Sequence, residues 1–358
     1  MNVLTAYIVK EILKGSVIAA LILVTLFNLF TFTDELKNLG HGHYEMKQIL
    51  QFLALTTPTL FYEVIPSAAL LGSLAVVGSM ANNREIVAMR AAGLSPAWII
   101  RSIMLAGLIL VGVAVLDGEF IAPSSERAAQ LLKSTAQNDK VAIRTQYGMW
   151  LREGSSFINV RTIRGDGSLA DLRIYEVNEQ NHLIRFSHAD RAVFLGGQQW
   201  RLENVRNSIF GKEQVFANTQ TEQMWQSTID SDLLKVAVVS ADNQSLYDLY
   251  MYIDFLKQNN QKSQRYEAAF WSRLINPFVT FVMLMVSAPL VIGIGRDSST
   301  GSRIIVGIVI GELFDAFDKM VGHIGLIYEF NPILTAVFPS TLVFCMALFI
   351  LHRTGKRF

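Results

Sequence analysis

The chain has 358 residues, of which 51% are hydrophobic and 17% charged, and its formal net charge is +1. A balance so close to neutral argues against a nucleic-acid-binding protein or an acidic interaction tail. The one cysteine, Cys345, cannot form an intrachain disulfide, and the histidines are too scattered to predict a metal site. The class of the protein follows instead from its apolar residues, which lie in long runs at both ends of the chain around a polar middle.

The first apolar run, residues 17–32, predicts a membrane-spanning helix that stays attached to the mature protein. Lys10 and Lys14 precede the run and no small-residue cleavage site follows it, so we expect an anchor rather than a removed signal peptide. By the positive-inside rule, these lysines predict a cytoplasmic N-terminus. The polar residues 34–38 that follow are therefore expected at the outer surface.

Two further spans are predicted before the polar middle. The second run, residues 49–80, is longer than the roughly 20 residues that a span needs, and it contains Pro58 and Pro66. We therefore expect a kinked or tilted helix there. The third span covers residues 98–116, and from Asp117 to about Arg265 the chain is polar and expected outside.

Residues 82–93, between the second and third spans, predict a short cytosolic helix with defined ends. Asn82 as N-cap and Glu85 three residues later form a capping-box pattern, and Gly93 suits the left-handed position that ends a helix. Ser95 as N-cap and Pro96 at the first helical position then begin the next helix. The segment is a candidate docking element for a cytosolic partner, and an ordered connecting loop is the alternative.

The polar middle predicts a β domain. Short apolar segments recur at roughly 8–12-residue spacing, which is typical of a β-sandwich or barrel. The segments are residues 149–151, 157–160, 172–177, 183–186, 192–195, 200–205 and 208–210, with turns predicted at 165–167, 178–181 and 196–197.

One amphipathic helix is predicted after the strands, at residues 245–259. Ser245 and Asp248 suit a capping pair at its start. Helical spacing predicts one apolar face made of Leu246, Leu249, Tyr250, Ile253 and Leu256.

The C-terminal part predicts three more spans, at residues 274–294, 304–321 and 333–351. Tyr266 and Trp271 precede the fourth span, where amphipathic rings prefer the membrane interface. Residues 295–303 form a second short cytosolic loop carrying two arginines, and basic residues end the chain. The sequence therefore predicts six spans with both termini in the cytoplasm.

The fifth span is unusual because it carries ionisable residues, which are costly at membrane depth and usually face protein or water. Those residues are Glu312, Asp315, Asp318 and Lys319. The i, i+3 spacing places the three acids on neighbouring parts of one helix face, and Asp315 and Lys319 are spaced to offset each other's charge. They either pair with a neighbouring subunit or line a substrate path.

Familiar catalytic motifs are missing from the sequence. It contains no G-x-x-x-x-G-K-[ST] phosphate loop, no H-E-x-x-H and no G-x-S-x-G. We therefore expect a chain without an active site, to which another protein supplies the energy. A membrane receptor or scaffold with a ligand-binding β domain and a proton-coupled transporter are the alternatives.

Several segments resemble the lipopolysaccharide export permeases of the LptF/LptG type. Residues 84–93 are similar to the coupling helix of that family, as are residues 32–37 after the first span and residues 265–272 before the fourth. The order and spacing of these segments extend the resemblance over essentially the whole chain, and it is greater to the G-type members.

The resemblance implies a polytopic α-helical protein of six transmembrane helices with a large periplasmic β-jellyroll-like domain. The expected segments are residues 1–134 for spans one to three with the coupling helix, 135–240 for the β domain, 241–265 for a periplasmic helix and linker, and 266–358 for spans four to six. Such a protein lies in the bacterial inner membrane and serves as the permease subunit of an ABC transporter. That transporter extracts lipopolysaccharide from the outer leaflet and passes it to a periplasmic bridge.

The partners implied are the F-type permease paralogue (LptF), a dimeric cytosolic ATPase (LptB), a single-span periplasmic protein (LptC) and the bridge protein LptA. ATP and Mg would be used by the ATPase, and no cofactor by this chain. The resemblance assigns ATPase coupling to Arg84, Glu85, Ile86, Ala88, Met89, Arg90, Ala91 and Gly93. It also assigns substrate binding to Thr31, Asp34 and Lys37; relatives can carry more lysines in this segment, where Lys37 here is the only one.

Overall fold

A computed structural model describes residues 3–137, 143–164, 167–178, 180, 182–211, 214–227, 229, 240–259, 261–293 and 300–355. Several predicted positions lie outside the described residues: the end of the fourth span at 294, most of the second cytosolic loop at 295–299, turn residues 165, 166, 179 and 181, and the last basic residues at 356–357.

The helices of the described chain are α1 Val3–Glu35, α2 Met46–Asn82, α3 Glu85–Ala91, α4 Pro96–Leu116, α5 Ala122–Gln137, α6 Leu246–Gln258, α7 Gln264–Gly293, α8 Thr300–Ile327 and α9 Pro332–Gly355. Five of the six predicted spans are confirmed as helices long and apolar enough to cross a membrane: α1, α2, α4 with its continuation, α7 and α9. The remaining predicted span is present as the 28-residue helix α8. It is about 42 Å long at 1.5 Å per residue, which exceeds the roughly 30 Å hydrocarbon core. Unlike an ordinary apolar span, it carries Glu312, Asp315, Asp318 and Lys319 within about two turns.

The third span does not end where the sequence predicted. A π-helical turn, Asp117–Ile121, joins α4 to α5, so the helical path continues to Gln137. Single π turns inside helices are uncommon and are frequently found at functional positions. The second span behaves as predicted in length, and both Pro58 and Pro66 lie inside the continuous helix α2.

The chain divides into two compact units. The first unit contains residues Met1–Thr31, Thr56–Ser125 and Gln264–Phe358. Its core is apolar and includes side chains of α1, α2, α4 and α7 together with Met89 of the short helix α3. Of the five apolar spans, α2 is the most enclosed, with 67% of its most apolar part buried, and α1 the least, with 17%.

The second unit, Phe32–Leu55 and Glu126–Ser263, contains the predicted β domain. Its strands are β1 Ile143–Glu153, β2 Ser156–Ile163, β3 Leu169–Val177, β4 Leu183–Gly196, β5 Gln199–Phe210 and β6 Val215–Gln226. Each strand pairs antiparallel with the next, so the described strands form one six-stranded meander. The segments predicted at 183–186 and 192–195 belong to the single strand β4, and those at 200–205 and 208–210 belong to β5. The sequence did not predict β6, which is polar.

Helix α6 begins as predicted, and its buried face includes Leu249 and Leu256 of the predicted set but not Tyr250. The Ser245 Oγ accepts a hydrogen bond from the Asp248 backbone N–H at 3.1 Å, which confirms the cap. Tyr250, placed on the apolar face by the sequence, is 61% exposed, whereas Tyr252 and Phe255 are buried beside Leu249. The prediction failed there because tyrosine suits both water and protein, and only packing decides which surface it takes.

Candidate functional site

The start of α3 corrects the predicted capping box. The helix begins at Glu85, after Arg84 in a left-handed conformation (φ 61°), and no side chain caps it. Asn82 is instead the last residue of α2, and its Oδ1 accepts a hydrogen bond from the Arg303 guanidinium at 3.2 Å. The cap is wrong because a distant arginine, which sequence spacing cannot reveal, uses that amide oxygen.

The end of α3 agrees with the prediction. Gly93 has φ +89°, and its backbone N–H donates to the Arg90 carbonyl at 2.9 Å while that of Leu94 donates to Met89 at 3.1 Å. These two bonds form a Schellman motif, which requires the left-handed glycine. Ser95 then caps α4 by accepting from the Trp98 N–H, with Pro96 in the first turn.

Helix α3 is anchored on one side and open on the other. Met89 is 7% exposed and packs into the core of the first unit, with Ile86 and Leu94 against the same cluster. The Tyr7 hydroxyl of α1 donates to the Glu85 carboxylate at 3.0 Å. The exposed positions are Arg84, Val87, Ala88, Arg90 and Ala91. A fixed helix that exposes small residues next to two arginines can pack against a groove with acidic margins.

Of the three residues assigned to substrate binding, Asp34 and Lys37 contact each other, whereas Thr31 forms a hydrogen bond within α1. The Lys37 Nζ lies 2.7 Å from an oxygen of Asp34, and both side chains are mostly exposed. The Thr31 hydroxyl donates to the Phe27 carbonyl within α1 at 3.0 Å. A phosphate at Lys37 would therefore compete with the Asp34 carboxylate for the ammonium group.

Sequence reasoning missed a buried network next to that segment. Glu35 is 6% exposed, and its carboxylate accepts hydrogen bonds from the Tyr44 hydroxyl at 3.0 Å and the Lys133 ammonium at 2.6 Å. Burial, together with the Glu35 charge, raises the pKa of Tyr44. Glu35 and Lys133 are 98 residues apart, so no local pattern could have paired them.

The ionisable residues of α8 are arranged as the spacing predicted. The Lys319 Nζ lies 2.7 Å from an oxygen of Asp315, which confirms this pair. Glu312, Asp315 and Lys319 are exposed in the isolated chain and Asp318 is half-buried. A helix that presents these charges at membrane depth requires protein or water against that face.

A second charged cluster, at the π-helical turn, was also missed. The Arg273 guanidinium of α7 donates to the Gly118 carbonyl and lies 5.0 Å from the centre of the Tyr62 ring. Arg273 and Asp117 are each 8% exposed, and one Asp117 oxygen has no hydrogen-bond partner among the described residues. The carboxylates of Asp117 and Glu119 interact electrostatically with the guanidinium.

Comparison with known proteins points to one family. The family model described as lipopolysaccharide export system permease LptF/LptG matches residues 6–353. The chain is 30% identical over 355 residues to the lipopolysaccharide export system permease protein LptG of Haemophilus influenzae, covering 99% of each chain. It is also 30% identical over 354 residues to LptG of Escherichia coli K12, covering 98% of each. Similarity to the E. coli K12 protein LptF is 26% identity over 178 residues, 48% of each chain.

Proposed function

Because this chain belongs to the LptF/LptG family of lipopolysaccharide export system permeases, we propose that it is the G-type permease subunit of an ATP-driven lipopolysaccharide exporter. Its similarity to LptG extends over the full length, whereas its similarity to LptF covers about half. In this proposal the protein lies in the bacterial inner membrane and moves lipopolysaccharide from the outer leaflet towards a periplasmic bridge. Membership of a permease family favours this function over a receptor or scaffold.

The energy for the transfer comes from a separate subunit in this proposal. Each acyl CH₂ that leaves the bilayer costs about 0.8 kcal/mol, so extraction of a lipid with several chains needs external work. A dimeric cytosolic ATPase of the LptB type, using ATP and Mg, supplies that work, and this chain is a non-catalytic subunit that binds no cofactor.

Helix α3 is the observation that carries the proposal. Its buried Met89 fixes it to the core of the helical unit, while Ala88 and Ala91 leave the opposite side accessible at close range. Arg84 lies one turn before Ala88, Arg90 lies between the two alanines, and both arginines can pair with acidic residues of the ATPase. A displacement of α3 by the ATPase is therefore transmitted to the packed helices rather than absorbed by a loose loop.

The remaining partners follow from the same assignment. The F-type paralogue LptF pairs with this chain in the membrane, and its surface supplies the environment that the α8 charges require. LptC and LptA continue the path from the periplasmic sheet β1–β6. At the outer end of α1, Lys37 holds an anionic head-group phosphate in exchange for Asp34.

The test places bulk on the exposed side of α3 in the intact complex. We expect Ala88→Trp combined with Ala91→Trp to leave membrane levels normal but to abolish copurification of the ATPase or coupled transport. Serine at the same two positions should be tolerated because it adds one atom. Ala217→Trp, at an exposed position of β6 in the other unit, is the matched control for added surface bulk. Full lipopolysaccharide transport with tryptophan at both α3 positions would refute the coupling role.

A further inference from the structure

Arg303 occupies a position that the sequence analysis did not anticipate. The sequence predicts this residue at the end of the cytosolic loop 295–303, yet it lies in the first turn of α8 and is only 2% exposed. Its Nη1 donates to the Gly78 carbonyl at 3.0 Å and to the Asn82 Oδ1 at 3.2 Å. Both acceptors belong to the last turns of α2, immediately before α3. The guanidinium thus lies against the C-terminal end of α2, where the helix dipole favours a cation.

Arg303 is the first of three residues on one stripe of α8. Gly307 and Gly311 follow at intervals of four, so all three lie on the same helix face. A Cβ added at Gly307 would lie 2.4 Å from a methyl carbon of Leu74, and one added at Gly311 would lie 3.7 Å from the Ser67 Oγ. Small residues spaced in this way allow two membrane helices to approach closely.

The facing residues also form one stripe. Ser67, Leu74, Gly78 and Asn82 follow one another along α2, and a Cβ at Gly78 would lie 3.3 Å from the Arg303 Nη1. The contact therefore extends over about four turns of α2 and about two turns of α8. It consists of the Arg303 hydrogen bonds at the α3 end and of close glycine packing in the apolar region. The same α8 helix carries Glu312, directly after Gly311.

We propose that Arg303 is a positioning residue that locks α8 to α2, so that α2 and α8 move as one body when α3 is displaced. The proposal rests on the proposed function, since it assumes that α3 receives motion from the ATPase. As a consequence, the motion of α3 reaches the ionisable face of α8 through α2 alone, without passing through a third helix. Loss of the guanidinium would release the first turn of α8 from α2 while the close glycine packing remained.

The first experiment measures coupling in the intact permease–ATPase complex in proteoliposomes. In Arg303→Met we expect the ATPase to copurify and to hydrolyse ATP, while lipopolysaccharide transport per ATP falls by roughly tenfold, the scale of a coupling free energy between two sites. Arg303→Lys retains a cation that reaches the Gly78 carbonyl, so it should recover part of the transport. Unchanged transport per ATP in Arg303→Met would overturn the proposal.

The second experiment joins α2 to α8 covalently, without changing Arg303. Cysteines at Ser67 and Gly311 are suitably placed, because the added Cβ would lie 3.7 Å from the Ser67 Oγ, and Cys345→Ser removes the natural thiol. Helices that move as one body should transport equally well with and without this disulfide. Transport that stops on oxidation would show that α2 and α8 move against each other, and would overturn the proposal.

Combining Arg303→Met with the α2–α8 disulfide distinguishes a positioning role of Arg303 from general damage to the structure. In Arg303→Met, oxidation of the Ser67→Cys/Gly311→Cys pair should restore transport per ATP, and a reductant should lower it again. Failure of the disulfide to rescue would count against the lock. Failure of the coupling role of α3 has a different signature: the Ala88→Trp/Ala91→Trp complex would retain its ATPase and full transport, whatever the Arg303 variants show.

Discussion

The pair formed by Lys319 and Asp315 makes α8 compatible with a membrane. Each charge alone at membrane depth is costly, whereas two groups 2.7 Å apart offset each other. We expect Lys319→Met to reduce the amount of assembled complex, because Asp315 then remains charged without its cation. The double variant Asp315→Asn/Lys319→Met should recover assembly, measured as the yield of complex after affinity purification.

A neighbouring acid provides the control for that pair. Asp318 is adjacent in sequence to Lys319 but takes no part in the 2.7 Å contact, so Asp318→Asn should not rescue Lys319→Met. Equal or greater loss of complex in the Asp315→Asn/Lys319→Met double variant would show that the pair does not stabilise the protein.

Lys37 supports a prediction about substrate contact. Since Asp34 holds its ammonium group, Lys37→Asp should lower lipopolysaccharide transport, and Asp34→Asn should maintain or raise it by freeing the cation. The exchange Asp34→Lys/Lys37→Asp keeps one charge of each sign and should restore part of the loss. Transport rates in proteoliposomes measure these effects, and a wild-type rate for Lys37→Asp would exclude a role for this cation.

The π-helical turn between α4 and α5 depends on a glycine. A Cβ at Gly118 would lie 2.5 Å from the Tyr62 ring, and the Gly118 carbonyl accepts a hydrogen bond from Arg273. Gly118→Ala therefore overpacks the contact between α2 and the turn, and such changes cost about 1–3 kcal/mol. We expect a lower thermal unfolding midpoint for the purified protein in detergent.

Gly112 is the matched control on the same helix path. Among the described residues, no heavy atom beyond the neighbouring backbone of the same helix lies within 4 Å of the Cβ that would be added there. Gly112→Ala should therefore leave the midpoint unchanged or raise it slightly. If Gly118→Ala and Gly112→Ala behaved alike, the close contact with Tyr62 would have no energetic importance.

At the scale of the whole molecule, we expect this chain to form one half of a membrane heterodimer. Helix α8 exposes Glu312 and Asp315 beside apolar residues such as Leu313, a surface suited to another protein rather than to lipid. Native mass spectrometry of the complex should find one copy of this chain with one F-type paralogue and two ATPase subunits. A stable homodimer of this chain as the functional species would contradict the expectation.

Sequence alone determined the features that depend on neighbours within one or two turns. Run length and hydropathy located the spans, Gly93 and Ser95 marked helix ends, and i, i+4 spacing paired Asp315 with Lys319. These predictions succeed because the interacting groups belong to one element, whose geometry is known in advance. The same local logic failed at Asn82, where a residue outside the helix became the competing partner.

Only the tertiary structure decided which charges are buried and what they contact. Arg303 and Gly78 are 225 residues apart, Arg273 and Gly118 155, and Lys133 and Glu35 98. An arginine beside an apolar run looks the same in sequence whether it meets water or closes the end of another helix. The difference lies in how closely the helices pack, because a buried guanidinium is tolerated only where carbonyls and amides are placed to accept its hydrogen bonds.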